Sequence, residues 1–347
     1  MNSRERVLAA LRHEEPDRVP VCLAYRTPRD IAERYGRTYD KTWMRQDVYM
    51  VDLKEPLPDP AIAENYLQGI PRDAQITCWG VATWRSSTQD TYAVLSPLRN
   101  MRTPAQLEAF PFPDVGADRY ATSLAGEVEE FHKEGLAVQG AMSQTIFELA
   151  EKMYGSENLL RGFYLYPDFV NALLDQITLR KRSMALQFVR AGVDVLRLGD
   201  DVGTQRGMML SPAMWRAFLK PRLASIIGAA RAERPGIPVF YHSDGDIREV
   251  IDDLIEIGIT ILNPIQPECM DPFDIKRRYG ERLTLWGTVS VQTVFPFATP
   301  EEIKALVRNY VSVLGRGGGY VIGPTHEILR DVPWENIAAF YDAVNPA

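Results

Sequence analysis

Histidine and cysteine are scarce in this chain: 347 residues include four of the first and three of the second. The cysteines, Cys22, Cys78 and Cys269, are odd in number and widely spaced, which excludes a disulfide framework and leaves each thiol to be judged by its neighbourhood. No apolar stretch approaches the roughly 20 residues that a membrane-spanning helix needs. Residues 1–15, MNSRERVLAALRHEE, carry charge throughout where a secretory signal would place an apolar run, so a cytoplasmic location is expected. A clustered Lys/Arg footprint is also missing and the net charge is −7, which argues against nucleic acid as a partner. What remains is 46% hydrophobic, 24% charged and 10% aromatic, the composition of a folded globular enzyme.

Apolar β-type runs alternate with amphipathic helical stretches, the pattern of a parallel sheet with helical crossovers. Strands are predicted at 19–25, 136–142, 193–199, 238–242, 259–264, 283–287 and 319–323, mostly as continuous hydrophobic runs of the kind found where both faces are covered. Helices are predicted at 167–190, 211–230, 246–257 and 300–314, and Ser211-Pro212 and Thr299-Pro300-Glu301-Glu302 supply start signals. Residues 39–117, rich in Pro, Thr and Trp, break the rhythm and read as an irregular insertion with a hairpin over 81–95. Seven strands, with an eighth hidden in or near that insertion, favour one (β/α)8 TIM barrel domain over 1–347. No glycine-rich loop follows the first strand, which weakens a dinucleotide fold, and the GRGGG of 315–319 precedes a strand and reads as a helix-terminal turn.

Several strands break directly into polar residues at their C-terminal ends: Gly199-Asp200-Asp201, His242-Ser243-Asp244-Gly245 and Gly323-Pro324-Thr325-His326-Glu327. In a parallel barrel these ends share one rim, where chemistry is presented. His242 and His326 thus become neighbours, and Cys269, closing the segment that follows the 259–264 strand, belongs between them in barrel order. Two imidazoles and a thiolate at a rim suit a zinc site with an open fourth position. Asp200 and Asp201 cannot both point into one pocket from a regular strand. One is expected to do acid/base or substrate-orienting work, with Asp200 the catalytic candidate, and the other to cap or to pair with Arg206. Asp244 is a candidate outer ligand, or a carboxylate orienting a metal-bound imidazole. Glu148 is either solvated or aimed at the mouth, and Arg26 and Arg29 could receive a substrate carboxylate.

Together these residues give a chain that resembles the uroporphyrinogen decarboxylase superfamily over nearly its whole length. The resemblance rests on Arg4–Leu11 with Pro16-Asp17-Arg18-Val19-Pro20, on the stretch 199–207, on 242–245, on Gly287 with Thr299-Pro300-Glu301-Glu302, and on 323–326 with 331–337. It implies a (β/α)8 barrel with the active site at the C-terminal mouth. Porphyrinogen decarboxylases of this superfamily hold propionates with paired arginines in a Gln-Ala-Gly context, whereas residues 23–29 here read LAYRTPR. The other branch comprises zinc-dependent methyltransferases that exchange a methyl group with a corrinoid on a partner protein. Its thiol-methylating members bind zinc through His-x-Cys and a distant Cys. This chain keeps His242, has Asp244 at the Cys position and has Thr325-His326 near the last one.

The resemblance therefore implies zinc held by His242, Cys269 and His326, a corrinoid (cobalamin) protein as partner, and a small-molecule methyl donor or acceptor. Oxygen and nitrogen ligands leave zinc more electrophilic than several thiolates do, which favours an O-methyl substrate such as a methoxylated aromatic. Asp200 and Glu148 are the expected catalytic residues, and Asp201, Arg206, Asp244 and Arg26 the expected substrate contacts. Two other readings stay open: a metal-free decarboxylase and a non-catalytic corrinoid-protein-binding member. A homodimer is the expected assembly.

Overall fold

The protein is described as a computed structural model covering residues 1–23, 25–85, 92–116 and 121–345. Seven parallel strands form one curled sheet in the order Val48–Asp52, Ala137–Met142, Val195–Gly199, Val239–His242, Ile261–Asn263, Thr284–Trp286 and Tyr320–Val321. This is a TIM-barrel-like α/β architecture with helices outside. The hidden strand is Val48–Asp52, near the start of the irregular region. Six of the predicted strands recur with trimmed ends.

The predicted 19–25 strand does not form as such. Val21 makes a single parallel bridge to Ile322, with Cys22 N donating to Ile322 O at 3.0 Å and Asp47 N donating to Val21 O at 2.8 Å. That segment thus sits between the last strand and the Val48–Asp52 strand. Pro20 has no N–H to give, and the Val21 N–H goes to the Asp47 carboxylate at 2.8 Å instead of to a ladder carbonyl. Asp47 is fully buried and also accepts from Arg6 and Arg18 at 2.8–2.9 Å, which satisfies the charge that burial would otherwise penalise. Ala24, inside the same predicted strand, lies outside the described residues.

Alternation along the strands separates two cores. Inward residues, Val48, Ala137, Val195, Phe240, Ile261, Trp286 and Val321, form a plug with Cys22 and with Val7 of the Ser3–Leu11 helix. Outward residues such as Val138, Leu196, Leu198, Tyr241, Leu262 and Leu285 pack in the larger cluster with the helices. One step above the plug, Arg197 also points into the barrel, its guanidinium 4.7 Å from the Phe240 ring centroid. Higher still, Gly199, His242 and Asn263 lie side by side across three strands. A Cβ on Gly199 would stand 2.7 Å from that of His242, so glycine is what lets the histidine pack there.

The predicted 211–230 helix divides into Pro212–Phe218 and Lys220–Glu233, the second with Pro221 in its first turn, where a missing N–H costs least. The 246–257 helix begins as a 3-10 turn, Arg248–Val250, and continues as Ile251–Glu256. Within the insertion, Ala82–Arg85 pairs antiparallel with Tyr92–Leu95 and with Gln75–Ile76. The tip of the predicted hairpin, 86–91, and the last insertion position, Ala117, lie outside the described residues.

Candidate metal centre and active site

At the C-terminal mouth of the barrel a cavity of about 190 Å³ is lined by Tyr25, Ser143, Gln144, Glu148, Gly199, Asp201, His242 and His326. His242 ends its strand and is buried. Its Nδ1 lies 2.7 Å from Asn263 Oδ1, and Asn263 Nδ2 donates to Trp286 O at 2.8 Å. The amide orientation makes Nδ1 the protonated nitrogen and leaves Nε2 with a free lone pair facing the cavity. The Tyr25 hydroxyl donates to that Nε2 at 3.1 Å and accepts from Arg197 Nη2 at 3.2 Å. Burial, followed by the Arg197 charge, pushes the His242 pKa down to about 4, so the ring is neutral at ordinary pH.

Asp244 follows two residues later on a loop pressed against the Gly203–Thr204 hairpin strand. A Cβ on Gly203 would meet Asp244 O at 2.6 Å, and one on Gly245 would meet the Gly203 carbonyl carbon at the same distance. Only glycine allows this approach. Asp201 Oδ1 accepts from Asp244 N at 2.9 Å and lies 3.6 Å from His242 Nε2. Asp244 Oδ1 is buried without a hydrogen-bond partner, 3.9 Å from the same Nε2. Burial first, and Asp201 second, raise the Asp244 pKa to about 7.

His326 completes the group. One ligand-capable atom from each of His242, Asp244 and His326 lies within 4.8 Å of the others. The His326 ring is 4.5 Å from that of Tyr25. Glu327 holds this loop to the first segment by accepting from Arg26 at 2.5 Å and from Arg34 at 3.2 Å.

Two expectations change. Cys269 does not share the cluster and Asp244 takes its place. The chain turns after Gln266, with Cys269 N donating to Gln266 O at 2.9 Å, and the thiol meets the Gln266 side chain at 3.8 Å, outside the group formed by His242, Asp244 and His326. Asp200 is not the pocket carboxylate. Only 1% exposed, it accepts from Ile146 N at 2.9 and 3.0 Å and from Glu148 N at 3.1 Å, so it caps the Phe147–Tyr154 helix from another strand, while Asp201 faces the cavity. Strand alternation sends the two neighbours opposite ways.

Glu148, in the first turn of the helix that Asp200 caps, lines the cavity, and burial together with Asp200 and Asp201 raises its pKa to about 8. Arg26 is spent on Glu327, and Arg29 lies over the Tyr39 ring at 5.4 Å. Arg206 sits exposed in the turn between Gly203–Thr204 and Gly207–Met208, away from the cavity lining and paired with neither aspartate.

Sequence reasoning passed over Arg197 and the bond from Tyr25 to His242. The signal for the first was present: a single arginine inside Val195–Gly199, a run otherwise fit for burial on both faces. Tyr25 offered none, because its partners come from 172 and 217 positions away.

A barrel with two imidazoles, a buried unpartnered carboxylate oxygen and further acids at its mouth defines a protein built to hold a small ligand, with a divalent cation among the candidates. Residues 96–346 match the family model described as uroporphyrinogen decarboxylase (URO-D), and the chain belongs to that family. Curated relatives include the uroporphyrinogen decarboxylase of Christiangramia forsetii, 23% identical over 99% of this chain and 98% of that one. The chloroplastic uroporphyrinogen decarboxylase 1 of Oryza sativa is 23% identical over 59% of this chain and 46% of its own, and the Coxiella burnetii enzyme is 26% identical over 52% and 48%. The chain thus spans about half the length of several of the curated relatives it matches. Among solved structures, a methyltransferase from Methanosarcina mazei superposes with a TM-score of 0.68 at 19% identity, covering 99% of this chain and 98% of that one, a likeness of fold. Among the described residues no helix is long and apolar enough to cross a membrane.

Proposed function

We propose that the protein is a zinc-dependent methyltransferase that moves a methyl group between a small O-methyl substrate, such as a methoxylated aromatic, and a corrinoid carried by a partner protein. The observation that carries this reading is the triad of His242, Asp244 and His326 around one cavity, with the Asp244 oxygen buried and unpartnered. A buried carboxylate oxygen without a donor is costly, and a cation would satisfy it. Two imidazoles and one carboxylate with an open position are a donor set that zinc accepts in catalytic sites. When bound, zinc supplies a Lewis acid for the oxygen that leaves the methyl group.

The residues around the triad have separable tasks. Asn263 fixes the His242 tautomer so that Nε2 is the nitrogen on offer. For Nε2 to ligate, Tyr25 gives up its bond to that atom while keeping the one from Arg197. Glu148, with its pKa near 8, holds a proton on its carboxyl group at neutral pH and can give it to the leaving oxygen. Asp201 orients the Asp244 backbone and remains an acceptor for a substrate hydroxyl. Asp200 acts by setting the start of the helix that carries Glu148.

A metal-free decarboxylase is the second reading, supported by the names of the relatives; here Glu148 would supply the proton that replaces carbon dioxide. The test uses zinc-loaded protein, reduced cobalamin and methoxylated arenes, followed by the absorbance of methylcobalamin. Zinc-dependent methylcobalamin formation that disappears in His242→Ala supports the first reading. Absence of transfer together with decarboxylation that survives exhaustive chelation would replace it with the second.

A further inference from the structure

Beside the metal cavity lies a second one of about 310 Å³, and Ser143 and Gln144 line both. Two lysines face it, Lys152 from the Phe147–Tyr154 helix and Lys181 from the Pro167–Ala191 helix. Lys181 is only 4% exposed, and its ammonium sits 5.6 Å from the Trp79 ring centroid. Among the described residues no hydrogen bond or ion pair reaches that ammonium. The acid in the same cavity, Glu55, accepts from Cys78 Sγ at 3.1 Å and from Trp79 Nε1 at 3.4 Å, and acts on the Lys181 ammonium through its charge without a hydrogen bond to it. Among the side chains that line the cavity, two lysines stand against one carboxylate. Its remaining walls include Trp79, Val81, Val94 and Leu149.

Burial lowers the Lys181 pKa, and a ligand that brings the opposite charge into the cavity would hold this amine in its ammonium form. We propose that this cavity receives the carboxylate end of the substrate, so that the substrate is a small organic acid. Its carboxylate meets Lys181 and Lys152, and its apolar body lies along Trp79, Val81 and Leu149. Its reacting end passes Ser143 and Gln144 to reach His242, Asp244 and His326. The assignment of that reacting end rests on the function proposed above. The anion site itself does not need zinc or methyl transfer.

The test is calorimetric titration of the purified protein with 3-methoxybenzoate and with its neutral counterpart 3-methoxybenzamide. The wild-type protein should bind the acid at least about tenfold more tightly than the amide, the size expected for a bond to a buried charge. Lys181→Met should lose that preference and keep its affinity for the amide within about twofold. Val94→Trp, a change at an exposed position on the cavity wall, should weaken both ligands by about tenfold, and it provides a readout even if the lysine variant folds poorly. Equal binding of acid and amide, no binding of the acid, or an unchanged preference in Lys181→Met would each overturn the proposal. Acid preference retained in His242→Ala, with no methyl transfer from any donor, would uphold the anion site while removing the methyltransferase reading.

Discussion

Removing the Asp200 carboxylate should damage the fold more than neutralising it. Its oxygens accept three contacts from two backbone N–H groups, Ile146 N and Glu148 N, at 2.9–3.1 Å in a place with 1% exposure. In Asp200→Ala both donors are left buried and unpaired, at about 1–3 kcal/mol each, for a loss of about 2–6 kcal/mol. For a chain of this length each kcal/mol moves Tm by roughly 1–2 °C, so the drop should be about 2–12 °C. Burial raises the Asp200 pKa to about 7 against the helix N–H groups that lower it. The folded state therefore binds this proton more tightly than the unfolded chain. Its stabilising contribution is complete below the ordinary carboxylate range and is lost as pH rises through about 7. Asp200→Asn keeps an acceptor for the helix and discards the buried charge, so at pH 8 it should match or exceed the wild type. The assay is thermal unfolding of the three proteins at pH 8. Equal melting of Asp200→Ala and wild type, or equal damage from Asn and Ala, would refute the capping role.

Three further outcomes follow from the same geometry. Because Asp244 has a pKa near 7 while His242 is already neutral above about pH 5, zinc affinity should fall as pH drops below 7, by roughly tenfold per unit for each proton displaced; competition against a chromophoric chelator between pH 6 and 8 measures this, and a flat profile would contradict it. Tyr25→Phe should tighten zinc binding by about two- to tenfold by removing the donor that competes for His242 Nε2, yet lower stability by about 1–3 kcal/mol because Arg197 Nη2 loses its acceptor; weaker zinc binding would count against the arrangement. Asn263→Leu should cost about 10–100-fold in zinc affinity by freeing the His242 ring, and unchanged affinity in an equilibrium titration would show that its tautomer is set elsewhere.

Most of the barrel was legible because strands covered on both faces read as continuous apolar runs that end abruptly in Asp or His. Two strands defeated that signal for opposite reasons. Val48–Asp52 is short and begins next to the buried charge of Asp47, so it merges with an irregular stretch. The 19–25 run is apolar enough, but Asp47 captures its central N–H and leaves a single bridge. At the mouth, strand ends placed His242 and His326 correctly, since a rim position follows from topology. Cys269 lies on a turn beyond a strand, and no periodicity says which way such a turn faces. The rule that adjacent strand residues point oppositely separated Asp200 from Asp201 but could not say which faced the cavity; that depended on a helix start 54 positions earlier. Lys181 sits in Arg180-Lys181-Arg182, a run indistinguishable in sequence from a solvated helix face.

The central claim is that His242, Asp244 and His326 hold one divalent ion. Zinc content measured on protein purified without chelator, for the wild type and for His242→Ala, Asp244→Asn, His326→Ala and Cys269→Ala, tests it most directly. The proposed zinc site implies about one equivalent in the wild type and in Cys269→Ala, and a loss of most of it in each of the other three. Less than a tenth of an equivalent in the wild type after incubation with zinc, or retention by His242→Ala alongside loss in Cys269→Ala, would contradict it.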